Sequence, residues 1–282
     1  MLISMRIQDV LVLGVSLIAC TDDVQSVGET VSAVTSNNRL SANRLSANRL
    51  SANRLQLHAS SSDLIATEEG REVLTFLVGC AVSPDQTLVG SFGGTTYEFH
   101  GELGLASHWL DRPLDRKGAG WVSACLFARV NANAVEVEIS LRGNHEQLAV
   151  TADEAANWSL QEGAFYGNYF TPENQPIDWV ACRGSAQASG EYGGLVDRDC
   201  AEPDPENPGK TICGFTYAGD CGDFAARYAC KKYDSGGTFY KKCYASAAFA
   251  KKTRNAREVD NSTDDAADDG SYRQVITTYV TP

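Results

Sequence analysis

The sequence predicts an α+β fold: short helices and antiparallel sheet, with a disulfide-rich C-terminal half. Three observations predict it. Helix-like and strand-like patterns follow one another over residues 61–282 without the regular βαβ rhythm of a parallel sheet. The hydrophobic share is 43% of 282 residues, ample for a packed core. Cysteine is uneven: two of the nine Cys fall in residues 61–181 and six in 182–243.

The elements follow in order. Residues 61–78 carry the helical spacing, with Ser62 or Asp63 as cap and Leu64, Ile65, Val73, Leu74 and Leu77 as the buried face. Residues 86–101 form a hairpin: Leu88, Val89 and Phe92 lead into Gly93-Gly94, and Thr95, Thr96, Tyr97 and Phe99 return. A second helix covers residues 114–130. Residues 135–141 alternate cleanly and predict a half-buried strand. Thr151 with Glu154 three residues later is a capping-box pattern, which starts a helix over 151–165. Strands are expected at 213–217 and 274–280, a short helix at 224–232, and an acid-rich loop at 258–269.

The chain carries 24 Lys+Arg against 36 Asp+Glu, a net charge of −12. Phosphate recognition needs clustered cations, so no intracellular nucleic acid is expected as a partner. No apolar run reaches the roughly 20 residues that span a bilayer.

Residues 1–19 read as a signal peptide, with Arg6 in a positive start and an apolar stretch over 10–19. The run Leu17-Ile18-Ala19-Cys20 resembles the lipobox of bacterial lipoproteins. That resemblance implies that Cys20 is diacylated and becomes the mature N-terminus. Thr21 in place of Asp then implies the outer membrane, by the sorting rule of enteric bacteria; without lipidation the chain is simply secreted.

Residues 20–60 are expected to be the lipidated Cys and a flexible linker. Arg recurs at 39, 44, 49 and 54, and Leu at 40, 45, 50 and 55. A period of five winds round a helix by about 500° per step and flips the face of a strand each time, so neither element gains a stripe. As a coil, some 40 residues span roughly 35 Å. Beyond it lie an α+β unit over 61–181 and a disulfide-rich segment over 182–282, in one domain or two. The lipobox, the Asn-Arg-Leu repeat and the block GWVSACLFAR at 120–129 together resemble secreted proteins of myxobacterial type. The resemblance implies a location and no activity.

With Cys20 lipidated, eight Cys remain: Cys80, Cys125, Cys182, Cys200, Cys213, Cys221, Cys230 and Cys243. An exported chain meets oxidising conditions, so four disulfides are expected. Eight Cys allow 105 connectivities. Cys80–Cys125 is the expected pair in the sparse half, because no other Cys lies between residues 20 and 182; the other pairings stay open. No C-x₂₋₄-C knuckle occurs, so neither metal nor cofactor is expected.

Motifs for catalysis are lacking: there is no G-x-S-x-G, H-E-x-x-H or G-x-G-x-x-G. Cys125 is a thiol nucleophile only if His100, His108 or His145 serves as its base; half of a disulfide is the expected role. Glu136 and Glu138 share a strand face at roughly 7 Å, a spacing used in glycoside hydrolysis, and Glu98 and Glu102 flank another strand end. Alternate Glu more ordinarily marks a wet face. The acidic run 260–270 departs from a calcium loop at Ala267 and Ile276.

Two constellations remain. Trp158, Phe165, Tyr166, Tyr169, Phe170 and Trp179 cluster in sequence, either as core or as a stacking surface. Residues 227–257 hold nine cations (Arg227, Lys231, Lys232, Lys241, Lys242, Lys251, Lys252, Arg254 and Arg257) against one acid, Asp234. Tyr228, Tyr233, Phe239, Tyr240 and Tyr244 are interleaved. The candidate ligand-binding residues are Lys231, Lys232, Tyr240, Lys241, Lys242 and Tyr244, which suit a polyanion. The acids at 258–269 are positioned in sequence to neutralise the same patch.

The function expected is that of a non-enzymatic lipoprotein on the cell envelope. Its ligand would be an acidic extracellular polymer: acidic polysaccharide, lipopolysaccharide or extracellular DNA. The alternative is a secreted hydrolase with a dispersed active site.

Overall fold

The structure is a computed structural model that describes residues 62–133, 136–172, 174–190, 198–222, 228–232, 236, 238–246 and 271–282. Cys20, the five-residue repeat, the cations at 251–257 and the acids at 258–269 lie outside the described residues. The fold is α+β, as the mixed pattern predicts.

The first helical stretch is two helices, α1 (Ser62–Ala66) and α2 (Glu68–Ala81). Thr67 interrupts it with an extended backbone, and its side chain accepts a hydrogen bond from the Gly70 amide at 3.0 Å. Glu68 and Glu69 then sit in the first turn of α2, where carboxylates favour the helix dipole. Gly70 is required by close approach: a Cβ there would stand 2.2 Å from the Leu64 carbonyl oxygen. Val73, Leu74 and Leu77 are buried as expected.

The hairpin β1 (Thr87–Phe92) and β2 (Thr95–His100) closes where expected. Gly93 and Gly94 have φ of 60° and 84°, the left-handed pair that a two-residue primed turn needs. The next helix, α3 (Arg116–Ala128), starts at Asp115, whose carboxylate accepts from the Gly118 amide at 2.6 Å. Cys80 of α2 is bonded to Cys125 of α3, the expected pair.

The remaining elements are β3 (Ser140–Arg142), α4 (Ala152–Asn157), β4 (Leu160–Asn168), β5 (Asp178–Arg183), α5 (Ser185–Ser189), β6 (Thr216–Asp220), β7 (Cys230–Lys232), β8 (Tyr240–Tyr244), β9 (Ser271–Tyr272) and β10 (Ile276–Val280). A five-stranded sheet runs β3-β10-β4-β5-β6, antiparallel except for β5 with β6. A three-stranded antiparallel sheet runs β7-β8-β9. Because β10 lies between β3 and β4, the large sheet joins strands from both sides of residue 181.

Three expected elements are corrected. The helix from Thr151 stops at Asn157, and β4 begins at Leu160. Thr151 does cap, accepting from the Glu154 amide at 3.1 Å. Glu154 instead takes a hydrogen bond from Ser140 Oγ at 2.7 Å, inside the protein. The strand expected over 135–141 is confined to residues 140–142; Glu136, Val137 and Glu138 lie outside regular structure. Of the helix expected at 224–232, residues 224–227 lie outside the described residues, and Cys230–Lys232 is strand, held by pairing with β8.

The large sheet is a middle layer. Along β4, Phe165 joins the core built on α2 and α3, whereas Ala164 and Tyr166 face a second core. On β5, Ala181 goes one way and Val180 and Cys182 the other. The second core is closed by Cys230, Tyr240 and Cys243 of the small sheet. Period-two alternation thus supplies two buried faces, and β4 is buried from Gln161 to Gly167.

Candidate functional site

The small sheet carries the residues singled out for ligand binding. In the register of β7 and β8, Cys230 lies opposite Cys243 and Lys231 opposite Lys242. The next pair is Lys232 with Tyr240, so Lys241 is skipped. That is a β-bulge. An extra residue breaks strict alternation and lets two neighbours point the same way. The burial sequence agrees: Tyr240 is buried, Lys241 exposed, Lys242 half-buried and Cys243 buried. Lys241 and Lys242 therefore both turn away from the second core, on the side of Lys231, while the Cys230–Cys243 disulfide lies on the inner side.

The two tyrosines are placed otherwise than expected. Tyr240 is 1% exposed, and its hydroxyl donates to Gln161 Oε1 at 2.8 Å, tying β8 to β4. Tyr244 is 3% exposed, and its carbonyl oxygen accepts from the Tyr166 hydroxyl at 2.8 Å. Neither offers a ring face to an extended polymer, which removes the aromatic half of the expected site. Instead Tyr244 meets Lys242 Nζ at 5.4 Å from its ring centroid, a cation–π contact.

A groove of about 300 Å³ lies beside β8, lined by Phe239 with Gly143, Asn144, His145, Leu148 and Val150. No sequence motif announces it, because its walls come from segments ninety residues apart. His145 Nδ1 accepts from the Gln147 amide at 3.2 Å, and its ring meets Trp121 edge-on at 5.3 Å. Burial pushes the His145 pKa down, Glu146 opposes the shift and Lys117 adds to it.

Two polar clusters flank the sheets. The Tyr272 hydroxyl donates to Asp178 at 3.0 and 3.2 Å, joining β9 to β5. Burial raises the Asp178 pKa against the lowering effect of that hydrogen bond. On the other edge Arg183 pairs with Asp220 at 2.9 Å and Glu202 at 3.6 Å. Tyr217 beside them is pushed up to about 12, chiefly by burial, with the Arg183 charge opposing.

The catalytic candidates are dispersed. Cys125 is bonded to Cys80, so the thiol form of the hydrolase reading is contradicted. His100 Nδ1 lies 3.0 Å from Thr87 Oγ1 on the exposed hairpin. Glu102 accepts from Arg129 at 2.7 Å, and Glu98, Glu136 and Glu138 are exposed. Of the aromatic run, Phe165, Tyr166 and Tyr169 are buried; Trp158, Phe170 and Trp179 are half-buried. The run is a central strand and its edges.

The remaining disulfides are Cys182–Cys221 and Cys200–Cys213. The sulfurs of Cys182, Cys221 and Cys230 lie within 4.8 Å of one another. Each is bonded to a cysteine, so the group offers no thiolate to a metal.

No family model, curated protein or solved structure matches the chain. Among the described residues no helix is long and apolar enough to cross a membrane.

Proposed function

We propose that the chain is a non-enzymatic, envelope-anchored binding protein that grips an acidic extracellular polymer through Lys231, Lys241 and Lys242. The observation that carries this reading is the bulge in β8, which turns two consecutive lysines to the same side as the lysine across the strand pair. Such an arrangement suits repeated anionic groups, because clustered cations on a fixed frame raise the local potential. The frame is fixed beneath them by the Cys230–Cys243 bond and by the Tyr240 hydroxyl on Gln161.

Acidic polysaccharide, lipopolysaccharide and extracellular DNA share the required chemistry, a chain of anionic groups. A lipid on Cys20 and the linker over 20–60 would hold this face clear of the membrane. Acylation is tested by the intact mass of membrane-extracted protein.

Binding is tested with the full chain and surface-bound alginate, a polyuronate. Affinity should fall as sodium chloride rises, and Lys241→Glu with Lys242→Glu should weaken it by about tenfold or more. A doubly substituted chain that binds as tightly as the unsubstituted one would overturn the reading.

A further inference from the structure

Two of the four disulfides touch. Cys182–Cys221 fastens β5 to the end of β6, and Cys230–Cys243 crosses from β7 to β8. Between them, Cys182 Sγ and Cys230 Sγ are 3.3 Å apart and buried. All four sulfurs belong to the second core, between the large sheet and the small one. The other bridges do not share this arrangement: Cys80, Cys125, Cys200 and Cys213 belong to the first core.

Thiol–disulfide exchange needs a thiolate in contact with a disulfide sulfur. We propose that Cys182, Cys221, Cys230 and Cys243 form one exchange site, in which loss of either partner, Cys221 or Cys243, leads to the same new bridge, Cys182–Cys230. When a dithiol reductant opens Cys230–Cys243, the Cys230 thiolate attacks Cys182 Sγ. The new Cys182–Cys230 bond forms as the Cys182–Cys221 bond breaks. The electron pair leaves on Cys221, which takes a proton from water. The exchange itself involves no net oxidation or reduction. In the opposite direction, a thiolate at Cys182 attacks Cys230 and releases Cys243. Either route transfers the covalent tie from within the sheets to between them: β5 becomes bonded to β7, and β8 loses its bond beneath Lys231 and Lys242. The site therefore couples the redox state of the second core to the lysine-bearing strands.

Two single substitutions in the full chain supply the thiol without a reductant. Each purified protein is incubated at pH 8 or pH 4, quenched with acid, alkylated under denaturing conditions without reduction, and mapped by peptide mass. In Cys243→Ser the label should move from Cys230 to Cys221 with time at pH 8 and stay in place at pH 4, because the thiolate is the attacking species. In Cys221→Ser it should move from Cys182 to Cys243. A Cys182–Cys230 peptide pair should appear in both. Label that remains on Cys230 in the first variant and on Cys182 in the second overturns the proposal. So does label spread to Cys200 or Cys213, which marks general scrambling and not exchange within the cluster.

Discussion

Arg198 Nε stands 2.9 Å from both carboxylate oxygens of Glu162, and neither side chain has any exposure to solvent. The pair is a junction of three elements. Glu162 is on β4, Thr278 of β10 donates to its Oε2 at 2.7 Å, and Arg198 Nη2 donates to the carbonyl of Ala128 at the end of α3 at 2.8 Å. A buried pair of charges is hard to replace one side at a time, since the survivor is left unpaired in a poor solvent.

Arg198→Met should therefore destabilise the chain by roughly 3–5 kcal/mol. Adding Glu162→Gln removes the stranded charge and should recover part of the loss. Urea unfolding midpoints of the three proteins decide the matter. If the single and double substitutions are equally destabilised, packing and not charge explains the effect.

Gly70 marks the contact between α1 and α2. A Cβ at this position would meet the Leu64 carbonyl oxygen at 2.2 Å and Leu64 Cα at 2.7 Å, both backbone atoms that cannot swing aside. Gly70→Ala should lower stability even though alanine is the better helix former. Thr67→Ala, which removes only the cap, should cost about 1 kcal/mol. A Gly70→Ala protein with a raised thermal midpoint would show that the two helices separate without penalty.

Legibility tracked how local each cause is. The hairpin rests on Gly93-Gly94, whose conformation is written in two adjacent residues, and the Thr151 cap is similarly local. The length of the helix after Thr151 is not, because residues 161–167 of β4 are buried on both faces, where alternation of polar and apolar residues disappears. The strand expected from VEVEISL failed for the reverse reason: perfect alternation was present, but only residues 140–142 have β10 beside them. At the site the cations were visible as a run. What was not visible was the bulge, which leaves Lys241 exposed and Lys242 half-buried side by side while Tyr240 and Tyr244 are buried. A skipped residue in a pairing register depends on the partner strand and leaves no mark in the sequence of either.

Asp178 gives a pH signature with a defined sign. Burial holds its carboxyl above the ordinary carboxylate range, against the hydrogen bond from Tyr272. In the window between the unfolded value and the raised folded value, the folded chain keeps a proton that the unfolded chain has released. Stability contributed by this group is thus present below the window and is lost as pH rises through it. Asp178→Asn keeps an acceptor for Tyr272 and carries no charge. The variant should gain on the unsubstituted protein as pH climbs from the carboxylate range to neutrality. Urea unfolding of both proteins across that range measures the difference, in which other titrating groups largely cancel. A difference that is flat with pH would mean that Asp178 titrates alike in both states.

The disulfides should differ in worth according to the loops they close. Cys80–Cys125 spans 45 residues and Cys200–Cys213 spans 13. Restricting the unfolded chain over the longer loop is worth about 4 kcal/mol and over the shorter about 3 kcal/mol in the chain-entropy account. Replacing both cysteines of a pair with alanine leaves no free thiol. Cys80→Ala with Cys125→Ala should therefore lower the unfolding free energy more than Cys200→Ala with Cys213→Ala. The longer bridge also joins α2 to α3 within the first core, so its loss removes a tie between two packed helices as well as a loop constraint. Calorimetric unfolding of the two double variants tests the order. If the 13-residue loop proves the more valuable, local order around Cys200 and Cys213 matters more than chain entropy, and the second half of the chain depends on its bridges to fold.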